Sequence, residues 1–173
     1  MVKRKKKICI VCGNPEYLFS QGMCKRCWSI NYSKPINSVI SDDLSGLIED
    51  ADALFSKWIR MKDADVFDMV GCYTCGAKKR WPNQQCGHYI SRSNLYLRWD
   101  ARNAKVQCEG CNCLKNGNIS AYTKRLELEN PGITGILLEE ARIVYKPTRD
   151  ELKAIISEYS KKIKMIAMIK SNS

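Results

Sequence analysis

Four Cys-x-x-Cys pairs constrain this chain more than any other feature of its sequence. The chain has 173 residues and ten cysteines, eight of which form the pairs Cys9/Cys12, Cys24/Cys27, Cys72/Cys75 and Cys108/Cys111. Two residues between cysteines let both thiolates reach one metal ion, whereas disulfide frameworks seldom consist of such pairs. The sequence therefore predicts two structural zinc ions, one held by Cys9, Cys12, Cys24 and Cys27 and one held by Cys72, Cys75, Cys108 and Cys111.

The N-terminus bears on the redox state of these thiols. The stretch MVKRKKKICIVCG has basic residues but no long apolar region after them, so it is a poor signal peptide. Without a secretion signal we expect a reducing compartment, which favours zinc over disulfides. The two cysteines outside the pairs, Cys86 and Cys113, are expected to be buried free thiols.

The charge balance indicates the kind of partner. The chain has 29 Lys and Arg against 18 Asp and Glu, a net charge of +11. Such a surplus favours an anionic partner, and for a soluble protein of this size the usual one is nucleic acid; a generally solvated basic surface is the alternative. No apolar run of about eighteen or more residues occurs, so no membrane contact is expected.

Four segments are expected along the chain. Residues 1–31 combine the basic N-terminus with a small zinc ribbon or knuckle, whose stability metal binding would supply. Residues 32–69 comprise a linker and an amphipathic helix with Ser41 as its N-cap. Residues 70–128 form the densest functional region, and residues 129–173 a C-terminal helical extension.

Local patterns predict further elements. Apolar residues recur at helical spacing between Leu44 and Ile59, which is typical of a helix packed on a core. Thr148 and Glu151 form a capping box that begins the last helix. The stretch RIVYK, residues 142–146, predicts a strand before that helix.

The central region is expected to fold as strand, loop, strand and helix. QQCGHYI and ARNAKVQC predict the strands, SRSNLYLRWD the loop, and EGCNCLKNGNISAYTKRLELE a helical segment that KNGN bends or interrupts. A zinc ion on Cys72, Cys75, Cys108 and Cys111 would fasten the strands to the helix. The expected fold class is α+β, with His88, the only histidine, on the first of these expected strands.

The motifs of this region carry a family resemblance. The pattern CxxC…GH…N-x4-CxxCN-x2-K resembles the zinc-containing HNH nuclease motif, with His88, Asn103 and Asn112 in its three positions. The stretches CYTCG, GHY, LRWDARN, QCEGCNCLKNGN and YTKRLE, over about residues 70–165, resemble the phage NinG (Rap) recombination endonucleases. The resemblance implies a ββα-metal, treble-clef-like core and cleavage of branched DNA such as Holliday junctions or D-loops. It also implies a homodimer, phage or host recombination proteins as partners, and a cytoplasmic location in an infected bacterium.

The residues in these positions suit phosphodiester hydrolysis. His88 is the expected general base, because the pKa of imidazole lies near working pH. We expect the Asn103 carbonyl to hold one ring nitrogen and fix the tautomer. Asn112 would offer its oxygen to Mg²⁺ or Mn²⁺, which stabilises charge in the transition state.

Basic residues around these positions are expected to bind flanking phosphates through charge-assisted hydrogen bonds. As a group they could equally be ordinary surface charges. They are Arg92, Arg98, Arg102 and Lys115.

One departure from the HNH pattern leaves the metal ligands open. Many HNH sites have an aspartate or histidine immediately before the base, whereas this chain has Gly87. Gln85 and Asp100 are possible replacement donors; the thiol of Cys86 is too soft for Mg²⁺.

Two other functions remain open. The protein could be a non-catalytic zinc protein that binds nucleic acid as an adaptor or regulator, or an HNH nuclease that acts on ordinary duplex DNA. His88 could also be structural; a zinc site of three cysteines and His88 is disfavoured because four cysteines already complete tetrahedral zinc.

Overall fold

The computed structural model describes residues 43–171, with side chains to residue 170, and four short strands nearer the N-terminus. The chain divides into two compact units, Met1–Val39 and Ile40–Ser173. The expected segment 1–31 lies in the first unit, and the expected segments 70–128 and 129–173 lie in the second. The expected segment 32–69 is divided between the two units.

The N-terminal unit contains two antiparallel strand pairs. The strands are β1 (Lys7–Ile8) paired with β2 (Pro15–Glu16) and β3 (Leu18–Ser20) paired with β4 (Met23–Cys24). Of the four cysteines expected to bind zinc here, Cys9, Cys12 and Cys27 lie outside the described residues. Cys24 is described only as part of β4, so this zinc site stays a prediction.

Helix α1 (Leu44–Met61) is the amphipathic helix that the apolar spacing predicts. Its N-cap is Asp43, whose carboxylate accepts a hydrogen bond from the Gly46 backbone N–H at 2.5 Å. The expected cap at Ser41 is therefore wrong, because the helix begins at residue 44 and Asp43 is the residue placed to satisfy its first N–H groups. Ser41 itself lies outside the described residues.

Two hairpins follow α1. Strand β5 (Met69–Gly71) pairs antiparallel with β6 (Lys78–Arg80), and a 3₁₀ turn leads from β6 to β7 (Gln85–His88). Strand β7 pairs antiparallel with β8 (Ala104–Gln107). The two strands and the loop expected between them are confirmed.

The segment after β8 changes its helical geometry twice. A π-helical turn (Gly110–Leu114) and a 3₁₀ turn (Asn116–Asn118) precede α2 (Ile119–Glu129). Gly117 has φ +84°, and the asparagines on either side of it also have positive φ, which glycine and asparagine tolerate better than other residues. The expected interruption at KNGN is confirmed.

Two helices complete the chain, α3 (Ile133–Glu140) and α4 (Arg149–Ser171). The Thr148 backbone N–H donates to Glu151 Oε2 at 2.7 Å, and the Glu151 N–H donates to Thr148 Oγ1 at 3.3 Å. The capping box is confirmed. The strand expected at residues 142–146 is wrong: the segment has no strand pairing, and Val144 is 92% exposed, so no neighbouring strand satisfies its backbone.

Two apolar clusters hold the larger unit together. In the first, α1 packs along α4 and covers one face of the β7–β8 hairpin, with Phe55 and Leu152 among its buried side chains. In the second, Tyr122 and Leu126 of α2 pack against Leu137 of α3. The mixed α+β class is confirmed, and among the described residues no helix is long and apolar enough to span a membrane.

The substitution Leu152→Ala should lower the free energy of unfolding by about 2 to 5 kcal/mol, because Leu152 is fully buried between α1 and α4 and its truncation leaves a cavity. The matched control is Leu128→Ala on α2, where the side chain is 82% exposed and the expected change is under about 0.5 kcal/mol. Urea unfolding monitored by circular dichroism measures both. Equal losses in the two variants would contradict the packing described here.

Candidate functional site

Four cysteines meet at one point of the larger unit. Cys72 and Cys75 lie on the turn between β5 and β6, and Cys108 and Cys111 lie where β8 ends and the π-helical turn begins. Their sulfur atoms all lie within 4.8 Å of one another. Four thiolates at this separation are the ligand set of a structural zinc site. The structure thus confirms that the cysteines predicted from their spacing could hold a metal such as zinc.

The backbone turn at each cysteine pair positions the sulfur atoms. Gly76 has φ +76°, a left-handed conformation that lets the turn after Cys75 close. The Gly76 N–H donates to the Cys72 carbonyl at 2.8 Å, and the Cys111 N–H donates to the Cys108 carbonyl at 3.0 Å. Each pair therefore sits on a tight turn, as the two-residue spacing predicts.

The thiols of this cluster differ in acidity. Burial opposes ionisation of Cys72, but hydrogen bonds from Thr74 and from backbone N–H groups lower the pKa of its thiol to about 6. At Cys75 a backbone hydrogen bond at Ala77 favours the thiolate, but burial and the neighbouring sulfurs raise the pKa to about 12. A bound cation would displace the proton that Cys75 retains, since metal ligation requires thiolates.

The two remaining cysteines differ in burial. Cys86 on β7 is half-buried and borders the first apolar cluster, and burial raises the pKa of its thiol to about 12. Cys113 is exposed, so the expectation of a buried thiol is wrong at this position. The π-helical turn directs Cys111 to the sulfur cluster and leaves Cys113, two residues later, on the outside.

His88 ends strand β7 with its imidazole half-buried. Its Nε2 atom lies 2.9 Å from the carbonyl oxygen of Arg98, and its ring centre lies 6.0 Å from that of Phe55 on α1. A carbonyl oxygen only accepts, so Nε2 carries the proton and Nδ1 keeps its lone pair. Burial lowers the pKa of His88 below the usual 6.5, so the ring is a neutral base at pH 7.

Asn103 does not contact the imidazole, which corrects the role expected from the sequence. Its side chain is fully buried. The Asn103 Oδ1 atom accepts from the Ile90 N–H at 2.7 Å, and Nδ2 donates to the carbonyl oxygens of Ile90 and Leu97 at 2.9 and 3.0 Å. The Asn103 side chain thus joins two parts of the loop between β7 and β8. The carbonyl that orients His88 is instead the backbone carbonyl of Arg98.

Asn112 lies in the π-helical turn beside Gln85. Its Nδ2 atom donates to Gln85 Oε1 at 2.7 Å, so two amide side chains meet there. Asp100, the other donor considered for a cation, receives hydrogen bonds from the Arg102 guanidinium at 2.9 and 2.6 Å. Of the two replacement donors, Gln85 is the one that lies next to Asn112.

The hairpin register explains why residue 87 has no side chain. Gly87 lies on the same face of the hairpin as Gln107, and a Cβ atom at position 87 would lie 2.0 Å from Gln107 Oε1. Gln107 is fully buried and held by its Nε2 atom, which donates to the Gly117 carbonyl at 2.7 Å and to Thr74 Oγ1 at 3.1 Å. Gln107 thus fills the space that an acidic side chain at position 87 would occupy.

Two of the four cations expected to bind phosphate are already paired. Asp52 Oδ1 and Oδ2 accept from Arg98 Nε and Nη2 at 2.9 and 2.6 Å, and Arg102 pairs with both Asp100 and Glu140. These two guanidinium groups hold loops and helices together in this structure, and phosphate binding by the group of four stays a prediction. Arg92 and Lys115 are exposed, and neither side chain forms an ion pair within the described part of the chain.

Three features of the site were not anticipated from the sequence. They are the carboxylate of Asp52 on α1, the amide of Gln107 on β8, and the exposed basic strand β6 (Lys78–Arg80). A run of three basic residues was visible in the sequence, and Asp52 stood out as an acid next to the apolar face of its helix. No local pattern marked Gln107.

Comparison with known proteins places these residues within a matched region. A family model described as "Bacteriophage Lambda NinG protein" matches residues 33–168. The "Protein ninG" of Salmonella phage P22 is 33% identical over 121 residues, which cover 68% of this chain and 56% of that protein. The "Protein ninG" of Escherichia phage lambda is 31% identical over 121 residues, covering 68% and 55%. The chain thus spans about half the length of these curated relatives. No solved structure shows a significant match.

Replacing Cys72 and Cys75 together with serine should lower the zinc content by about one ion per chain, because both thiolates of one pair are lost. Elemental analysis after dialysis measures the zinc. The control is Cys113→Ser, which removes an exposed thiol outside the cluster and should leave the zinc content unchanged. An unchanged content in the double variant would show that the cluster holds no zinc.

Gly87→Asp, which introduces the acid common in HNH motifs, should lower the free energy of unfolding by about 1 to 3 kcal/mol, because Gln107 must move and release its hydrogen bonds. Adding Gln107→Ala should recover part of this loss, since the crowding atoms Cγ, Cδ and Oε1 are all removed. Urea unfolding compares the variants.

The control for that series is Gly135→Asp, at a glycine where a Cβ atom meets no atom within 4 Å. If the single and double variants at the hairpin were equally unstable, Gln107 would not be the reason for the glycine.

Proposed function

We propose that this chain, which belongs to the NinG family, is a metal-dependent DNA endonuclease of the HNH type with a ββα-metal core. The observation that carries the proposal is the orientation of His88. Its Nε2–H is held by the Arg98 carbonyl, which leaves a neutral imidazole with Nδ1 available to accept a proton. That is the state a general base needs in order to activate water for attack on phosphorus.

The order of elements supports the nuclease core. Strand β7 carries His88, the loop is closed by Asn103, and β8 leads through the cysteine pair to the turn that carries Asn112. This is the order in which the HNH motif places its three residues. In this chain Asn103 acts through the loop, because its hydrogen bonds shape the segment that supplies the Arg98 carbonyl.

The donor set beside Asn112 fits a hard cation. Asn112 and Gln85 each have an amide oxygen, and Mg²⁺ and Mn²⁺ prefer oxygen ligands. To bind such a cation, Gln85 Oε1 would release the hydrogen bond that it accepts from Asn112 Nδ2. When bound, such an ion stabilises negative charge on the phosphate oxygens. Since side chains alternate along a strand, Gln85 and His88 project from opposite faces of β7. The structure therefore does not place Gln85 and His88 on one face of that strand.

Exposed basic groups would hold the flanking DNA. We assign this role to Arg92, Lys115 and strand β6, whose side chains are exposed. The net charge of +11 supports a polyanionic partner. Branched recombination intermediates as substrate, a homodimer, recombination proteins as partners and the cytoplasm of the infected cell as location are part of the proposal. They rest on resemblance to the NinG (Rap) recombination endonucleases.

A second candidate is a zinc protein that binds nucleic acid without cutting it. The specific observation in its favour is Gln107, which excludes an acidic metal ligand at position 87. An HNH-type site with amide donors alone would bind a divalent cation more weakly than one with a carboxylate. The two candidates differ in whether the wild-type protein cleaves.

His88→Ala should abolish cleavage while zinc content and DNA affinity stay unchanged, because the substitution removes the base but no thiolate and no cation. The measurement uses labelled duplex, flap and four-way junction DNA with Mg²⁺ or Mn²⁺, and EDTA should stop the reaction. The control is Ser93→Ala, in the exposed part of the same loop. Wild type that binds DNA but never cuts it would favour the non-catalytic protein, and equal cleavage of all substrates would favour a duplex nuclease.

The pH dependence of the same assay tests the state of His88. The base is active when neutral, and burial lowers its pKa, so the neutral form persists to lower pH than for an ordinary histidine. The single-turnover rate should rise with pH through an apparent pKa below about 6.5 and then stay level. An acidic limb centred above that value would contradict the buried, neutral imidazole.

A further inference from the structure

The backbone carbonyl of Arg98 orients His88, so whatever fixes Arg98 also fixes the imidazole. Residues 89–103 form a loop without strand pairing between β7 and β8. Asn103 closes this loop near its base, through hydrogen bonds to Ile90 and Leu97. A second attachment is needed at Arg98 itself, because a loop peptide that turns by a modest angle moves its carbonyl oxygen away from Nε2 of His88.

That attachment comes from helix α1. Both oxygens of the Asp52 carboxylate accept from Arg98, at 2.9 Å from Nε and 2.6 Å from Nη2. The indole Nε1–H of Trp99 donates to Asp52 Oδ1 at 2.9 Å. One carboxylate therefore holds the side chains of two successive loop residues. A two-point Arg–carboxylate pair also fixes orientation, which a single contact does not.

The Asp52–Arg98 ion pair is shielded from water, and a further hydrogen bond connects it to the loop. The side chains of Asp52 and Arg98 are 22% and 19% exposed, so water competes little for these hydrogen bonds. Arg98 Nη1 donates to the carbonyl oxygen of Arg92 at 3.0 Å, which connects the far arm of the loop to the same guanidinium. The Arg98 side chain thus lies between helix α1 and both arms of the loop.

Helix α1 also touches the imidazole directly. Asp52 and Phe55 are three residues apart and share one face of the helix. The Phe55 ring centre lies 6.0 Å from that of His88. The same helical turn thus supports the ring through Phe55 and sets the direction of its Nε2–H through Asp52 and Arg98.

We propose that Asp52 is a positioning residue for His88: its carboxylate fixes Arg98, whose carbonyl oxygen then holds the imidazole in the tautomer with a free Nδ1. The catalytic consequence rests on the proposed nuclease function, whereas the effect on the tautomer does not. Helix α1, which lies outside the expected HNH segment, thereby becomes part of the site.

Several charged or titratable groups lie around the imidazole of His88 and the nearby thiol of Cys86 on β7. They are Asp52 and Arg60 on α1, Cys86 on β7, Arg92 and Arg98 in the loop, and Tyr159 on α4. Burial and the two loop arginines lower the pKa of His88, whereas the hydrogen bond to the Arg98 carbonyl and the charge of Asp52 oppose them. Removal of the Asp52 charge should therefore lower the pKa of His88 further, in addition to loosening the ring.

The alternative is that the Asp52–Arg98 pair only stabilises the fold. Because His88 is the sole histidine, nitrogen NMR reads its tautomer and pKa without ambiguity. The protein must be purified on a tag that contains no histidine. Native protein and Glu49→Gln, which neutralises an exposed carboxylate on the same helix, should show the neutral ring protonated at Nε2. Asp52→Asn should show a mixture of the two neutral tautomers and a lower pKa.

The cleavage arm of the experiment reports on catalysis. For Asp52→Asn the kcat should fall roughly 10- to 100-fold, because the base is misaligned, while the KM stays within about twofold, because Asp52 is not placed to bind DNA. If native protein cuts no DNA, the proposed nuclease function fails, but the NMR comparison still decides the role of Asp52.

A folded Asp52→Asn protein with the native tautomer of His88 would overturn the proposal, whatever its pKa, because loss of the Asp52 charge lowers the pKa by itself. Folding is checked by circular dichroism and zinc content. If Asp52→Asn does not fold, Arg98→Lys decides the question, since it keeps the charge and the backbone carbonyl but loses the two parallel hydrogen bonds. Arg98→Lys is expected to give the same mixture of tautomers, and a single native tautomer in this variant would equally overturn the proposal.

Discussion

Four sulfur atoms that lie within 4.8 Å of one another connect the β5–β6 hairpin to the end of β8. Thiolates this close repel one another unless a cation lies among them, so a metal ion bound here would couple its binding to the folding of this region. Strand β8 ends at Gln107, immediately before Cys108 of the cluster. The position of β8 in turn sets the register of β7 and thus the place of His88. The candidate site therefore depends on a cysteine cluster that could hold a metal ion and that has no part in the proposed chemistry.

The loop between β7 and β8 gains its shape from side chains that bind backbone groups. Asn103 closes it from inside, and Asp52 holds it from helix α1. Such a loop has no ladder of strand hydrogen bonds, so a few side chains determine its conformation. The role proposed for His88 requires this precision, because a general base must point its lone pair at the water that it activates. A short segment is thereby held by polar contacts from both sides.

Crowding inside the hairpin limits which metal ligands the site can use. Gln107 fills the space beside Gly87, so a cation would depend on amide oxygens near Asn112 and on the substrate. Amide oxygens suit Mg²⁺ and Mn²⁺ but carry no charge to hold them. An enzyme with such ligands would bind its cation most strongly once the phosphate is present. Metal affinity and DNA binding would then be linked.

The sequence by itself determined the features that depend on residues close together in the chain. The cysteine spacing predicted two metal sites, of which the one formed by Cys72, Cys75, Cys108 and Cys111 lies among the described residues. The capping box of Thr148 and Glu151 marked where α4 begins. The partners of Asn103 and Arg98 required the tertiary structure: Asp52 lies 46 residues before Arg98 in the chain, and no local pattern connects them. The strand expected at residues 142–146 failed for the same reason. A strand forms only where another strand lies beside it, and a polar side chain finds its partner only after distant segments have packed together.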